Sequence, residues 1–157
     1  MRFMNWLAIG LGIILGVIFF TSGLGKVTEP PEQFAELLNV SMPFLSSGIT
    51  LFLARWTPWI EITLGLFLVV GISAKLMAGV SLFLVAGFIF HNTYIIKNAI
   101  EVSECGCFGT FEGSLQIISS AVTARYLDFS MLVLILVILL FYPGKSFTRW
   151  PWFLRRG

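Results

Sequence analysis

The stretch Leu76–Ile96, LMAGVSLFLVAGFIFHNTYII, decides the architecture. It contains no Lys, Arg, Asp or Glu, and it has the length an α-helix needs to cross the hydrocarbon layer, about 17–25 residues. Working outward, three more apolar runs of similar kind appear, over residues 6–25, 50–72 and 125–142. The last has a clean apolar core only from Phe129, so a full span draws in the residues before it and puts Arg125 and Asp128 near the membrane entrance. Hydrophobic residues make up 57% of the 157-residue chain and charged residues 11%. A soluble domain is nearer half apolar and a quarter charged. This chain has too little polar surface to cover a core, so lipid must solvate its outside. The expected fold is an all-α membrane protein, a four-transmembrane-helix bundle forming a single domain over residues 1–157. A net charge of +2 gives no reason to expect a nucleic acid partner.

Charge distribution orients the bundle. Four spans put both termini on one side, with Arg2, Lys75, Lys145, Arg149, Arg155 and Arg156; the other side holds Lys26, Arg55, Lys97 and Arg125. All eight acids fall on that second side or just inside the membrane from it. The basic excess predicts cytoplasmic termini, with the first and third loops facing outward. The first run lacks a small-x-small cleavage site and reads as a retained span. The expected location is a bacterial inner membrane, with the third loop in a compartment that permits disulfides.

Two segments add detail. Thr28-Glu29-Pro30-Pro31-Glu32 looks like a helix start with acids in its first turn, and Phe34, Leu37 and Leu38 then share a face. This predicts a short amphipathic helix at the outer surface, stopped by Pro43. In the second span, Pro58 allows two readings. Either Thr57 caps a helix that begins at Pro58, or the helix runs through and kinks there. On the first reading Glu61 lies about one turn inside the helix, roughly 5 Å deep.

The chemistry centres on Cys105-Gly106-Cys107-Phe108-Gly109, which holds both cysteines of the chain in a polar loop between apolar segments. Such a pair can be incidental, a structural disulfide, a redox-active disulfide or a soft metal site for Cu(I) or Zn. Gly106 permits the bend that a disulfide between residues two apart requires. The ring would be small and strained, and strained, exposed disulfides tend to be labile or catalytic. Glu101 and Glu104 disfavour the thiolate; Arg125, Lys97 or Lys26 would favour it if the fold brings them near. A metal site would have to enlist His91, the single histidine, which otherwise reads with Asn92 as a polar helix end. Glu61, ionisable within a span, is either a proton-exchanging group or half of an ion pair with Lys26, Arg55 or Arg125. Ser22-Gly23-Leu24-Gly25-Lys26, preceded by Gly12 and Gly16, reads first as a close-packing helix face. Lys26 either snorkels to the interface or reaches Glu61 or the cysteine loop.

These elements, in order and over nearly the whole chain, resemble the MauE branch of the DoxX-like membrane proteins. The similarity runs through Phe19–Lys26 with its Ser-Gly-x-x-Lys, Pro30 with Phe34-Ala35, Pro58-Trp59-Ile60-Glu61 with Gly65, Glu104–Gly109, and Arg125. The resemblance implies a four-helix bundle associated with periplasmic thiol-disulfide chemistry. The MauE type is linked to maturation of the disulfide-rich small subunit of methylamine dehydrogenase, alongside a thioredoxin-like partner.

The leading reading is therefore a thiol-disulfide redox protein, with Cys105 and Cys107 cycling at the outer face, a thioredoxin-like extracytoplasmic partner and a cysteine-containing exported client. Glu61, Lys26 and Arg125 support the loop. No cysteine lies in the membrane or on the cytoplasmic side, so electrons must pass to an outside partner or to a quinone, for which Glu61, Arg55 and His91 are candidate contacts. The competing reading is a noncatalytic subunit or assembly factor of a larger membrane complex, with the cysteines as a structural clip. Cu(I) handling ranks third.

Overall fold

The computed structural model describes residues 2–98 and 121–142. They form five helices: α1 (Arg2–Val27), α2 (Pro31–Ser41), α3 (Ser47–Val70), α4 (Ala74–Lys97) and α5 (Ala121–Phe141), with no strand among the described residues. Four segments are long and apolar enough to cross a membrane: Trp6–Val27, Ser47–Val70, Ala74–Lys97 and Val122–Phe141. The all-α, four-span expectation holds, and α2 is the short amphipathic helix of the first loop.

Helices α1 and α3 pack closely because glycine removes the side chains between them. A Cβ placed on Gly16 would lie 2.7 Å from the Gly65 carbonyl oxygen, and one on Gly65 would lie 2.6 Å from that of Gly16. Two turns along, a Cβ on Gly23 would lie 2.7 Å from the Pro58 oxygen. Backbones this close leave no room for any other residue type, and the two contacts together fix the antiparallel register.

That register corrects the expectation for Glu61. Helix α3 runs unbroken from Ser47 through Pro58, which lies inside it, and Thr57 is a buried interior residue rather than a cap. Proline removes the donor that would pair with the Ala54 carbonyl, a loss that membrane helices absorb when neighbours pack around it. At about 1.5 Å of rise per residue, Glu61 stands roughly 20 Å from the helix start instead of one turn in. The extra turns of α3 sit beneath α2. There Ala54 packs with Phe34, Ala35 and Leu38, and Thr50 Oγ1 donates to Asn39 Oδ1 at 2.8 Å.

Helix α2 begins at Pro31, three residues later than the Thr28 reading. Pro30 is extended (φ −60°, ψ 128°) and Pro31 occupies the first turn, where a missing N–H costs nothing. Thr28 instead closes α1, its hydroxyl donating to the Gly25 carbonyl at 2.6 Å. The Met42 N–H caps the far end on the Leu38 carbonyl at 2.8 Å, ahead of Pro43. At the opposite end of the bundle, Gly71 takes the left-handed conformation (φ 76°) that a tight α3–α4 hairpin needs. The N–H groups of Gly71 and Ile72 both reach the Phe67 carbonyl. This end is apolar: Ala8, Leu15, Leu68, Ala74, Ala78, Ile135 and Ile138 are buried against one another.

Candidate functional site

The end of the bundle under α2 is built differently. Ser22, Lys26, Ser41, Thr50, Thr57, Glu61, His91, Asn92 and Asp128 are all buried there. Lys26 Nζ donates to Glu61 Oε1 at 2.6 Å, and Ser22 Oγ donates to Glu61 Oε2 at 3.2 Å. Both side chains of the ion pair are essentially inaccessible. Ser22 and Lys26 are four apart, on one face of α1, and the Gly23–Pro58 contact brings that face against Glu61. Two aromatic rings complete the enclosure. The Lys26 ammonium lies 4.3 Å from the Phe88 ring centre and 5.4 Å from that of Phe34, within cation–π range. Lys26 thus reaches Glu61 rather than snorkelling, and of the three cations considered for Glu61 it is the one that pairs.

A second buried pair crosses from α4 to α5, where Asn92 Nδ2 donates to Asp128 Oδ2 at 2.8 Å. Lys26 also acts electrostatically on Asp128. A cavity of about 10 Å³, the space of a single water, lies between Ser22 and Asp128. A third pair ties α2 down: His91 Nδ1 and Ser41 Oγ are 2.6 Å apart. The Ser41 hydroxyl also lies 3.1 and 3.3 Å from the Leu37 and Leu38 carbonyls of its own helix. His91 and Asn92 are therefore buried and partnered, not merely polar residues at a helix end. Asp128 lies inside the bundle rather than at its entrance. The sequence reading missed Ser41 and Asp128 as site residues. The available signal was an acid in a span three residues beyond Arg125.

Arg55 and Arg125 stand apart from the buried layer. Arg55 is exposed and lines an open cleft of about 400 Å³ with Lys26, Glu29, Glu32, Pro58 and Trp59. Arg125 is half-buried, its guanidinium 6.0 Å from the Tyr126 ring centre. Neither forms an ion pair with Glu61 among the described residues. Cys105 and Cys107 lie outside the described residues. Among the described residues no three His, Cys, Asp or Glu side chains are grouped to hold a metal.

The sequence matches the family described as methylamine utilisation protein MauE over residues 4–143, which takes in every span and the whole buried layer. The chain belongs to the MauE family. With four membrane-crossing helices, this MauE-family chain is a multi-pass membrane protein. No curated protein and no solved structure matches it.

Proposed function

We propose that this MauE-family protein is a membrane-embedded thiol-disulfide redox protein. It acts at the extracytoplasmic face of a bacterial inner membrane, with both termini in the cytoplasm. The observation that carries the reading is the Cys105-Gly106-Cys107 pair, the only thiols in the chain. The described helices support it indirectly. The chain leaves α4 at Lys97 and re-enters α5 at Ala121, and His91, Asn92 and Asp128 of the polar layer lie within about two turns of those two ends. The described chain on either side of the cysteine segment thus belongs to the end of the bundle that carries the buried pairs.

In this reading the disulfide accepts two electrons and two protons from the thiols of a thioredoxin-like partner or client, and the resulting dithiol is reoxidised by passing them on. Arg125 and Lys97, neither held in the buried ion pair, are the cations left to favour a thiolate. Lys26 and Glu61, each satisfied by the other, hold the frame. Their closed pairing also favours the second reading, a noncatalytic assembly subunit, because it assigns the intramembrane charges to packing.

The redox midpoint of the pair separates the two. Purified protein equilibrated in thiol buffers, alkylated and weighed should show a reversible two-electron transition between roughly −120 and −270 mV, the range of thiol-disulfide catalysts. Cys105→Ser with Cys107→Ser should abolish function in a client-maturation assay while leaving the fold intact. Full function in that double variant would sink the redox reading. Stoichiometric copper binding that needs both thiols would point to Cu(I) handling instead.

A further inference from the structure

Between α2, α3 and α4 lies a groove of about 170 Å³ whose lining includes Phe34, Leu38, Thr57, Phe83, Gly87 and His91. From Phe83 to His91 it follows α4 for about 12 Å at the helical rise. Its two ends differ. Phe83 is 80% exposed on a membrane-crossing helix, so that end opens to lipid. The other end, beneath α2, presents His91 and Thr57. No charged side chain lines the groove.

Thr57 is the informative residue. It is about nine-tenths buried, and what remains exposed lines the groove. Thr21 on α1 and Thr50 and Thr63 on α3 each return their hydroxyl to a carbonyl of the preceding turn. The Thr57 side chain lines a space open to an incoming acceptor, to which its hydroxyl can donate.

We propose that this groove binds the head ring of a lipophilic quinone, with the Thr57 hydroxyl donating to a ring carbonyl and the tail leaving past Phe83 into lipid. The chemistry favours this occupant over a phospholipid. A phosphate headgroup would find no cation in the lining, and an acyl chain would waste the polar end. The volume is below that of pockets for drug-sized ligands and suits one substituted ring whose tail stays outside. The binding site stands on the groove alone; its use as the electron acceptor of the cysteine pair rests on the thiol-disulfide reading.

Photolabelling of the full chain in nanodiscs with a short-tailed azido-benzoquinone tests the site. Label should fall on peptides from α2, α3 and α4 and be competed by unlabelled quinone. A Cβ on Gly87 meets nothing within 4 Å, so Gly87→Leu fills the groove without disturbing the packing and should cut specific labelling at least tenfold. Gly79, equally open but outside the groove lining, supplies the control: Gly79→Leu should label like the parent. Thr57→Val should weaken labelling about tenfold, the loss of one hydrogen bond. The Cys105→Ser, Cys107→Ser double variant should label normally, which separates this proposal from the thiol reading. Labelling spread evenly over all helices, insensitivity to Gly87→Leu, or competition by phospholipid alone would overturn it.

Discussion

The two ends of this bundle solve the same packing problem by different means. At the α3–α4 hairpin end, apolar side chains interlock and the Gly16–Gly65 contact lets backbones touch. At the α2 end, helices are joined by matched polar pairs: Lys26 with Glu61, Asn92 with Asp128, Ser41 with His91. An apolar interface in lipid is held by shape and tolerates gradual change. A buried polar interface is all-or-none, because losing one partner strands the other. The protein places the second kind at the end covered by α2, where α4 ends and α5 begins.

The largest effect should come from breaking a pair at the polar end. Glu61→Leu leaves the Lys26 ammonium uncompensated and should cost about 3–5 kcal/mol, read as a lowered thermal midpoint in detergent. Adding Lys26→Met should restore most of the loss. A double variant as unstable as the single would mean that the pair does more than cancel charge. A smaller effect should come from overfilling the apolar interface. Gly65→Ala forces a methyl against the Gly16 carbonyl and should cost about 1–3 kcal/mol by the same measurement. A neutral outcome would show that the α1–α3 contact can open. The mildest change trims the enclosure of the cation: Phe88→Leu should cost about 0.5–2 kcal/mol through the lost cation–π contact. No change would assign Lys26 entirely to Glu61.

Hydropathy made the spans legible, since lipid imposes length and composition on each helix independently of its neighbours. Amphipathicity did the same for α2. Partner choice was less accessible. Lys26, Arg55 and Arg125 were equal candidates for Glu61 until the glycine contacts set the register of α1 on α3. The unbroken passage of α3 through Pro58 depends on α2 packing over its first turns, which no local propensity encodes. Ser41 and Asp128 escaped notice for a related reason: their partners stand 50 and 36 residues away, and ordinary side chains become a site only when helices are docked. Cys105 and Cys107 were the clearest chemical signal in the chain, yet the described helices fix only where their segment begins and ends.

The distance along the chain between Lys26 and Glu61 has a consequence for biogenesis. The two residues are 35 positions apart, which at about 5–20 residues per second is roughly two to seven seconds of synthesis. During that interval α1 carries a cation whose partner has not yet been made. The end of α1 must wait at the water boundary, where the ammonium stays hydrated, and can settle inward only when α3 delivers the carboxylate. Paired burial of Lys26 therefore follows the synthesis of α3 and requires the register that the Gly16–Gly65 and Gly23–Pro58 contacts set.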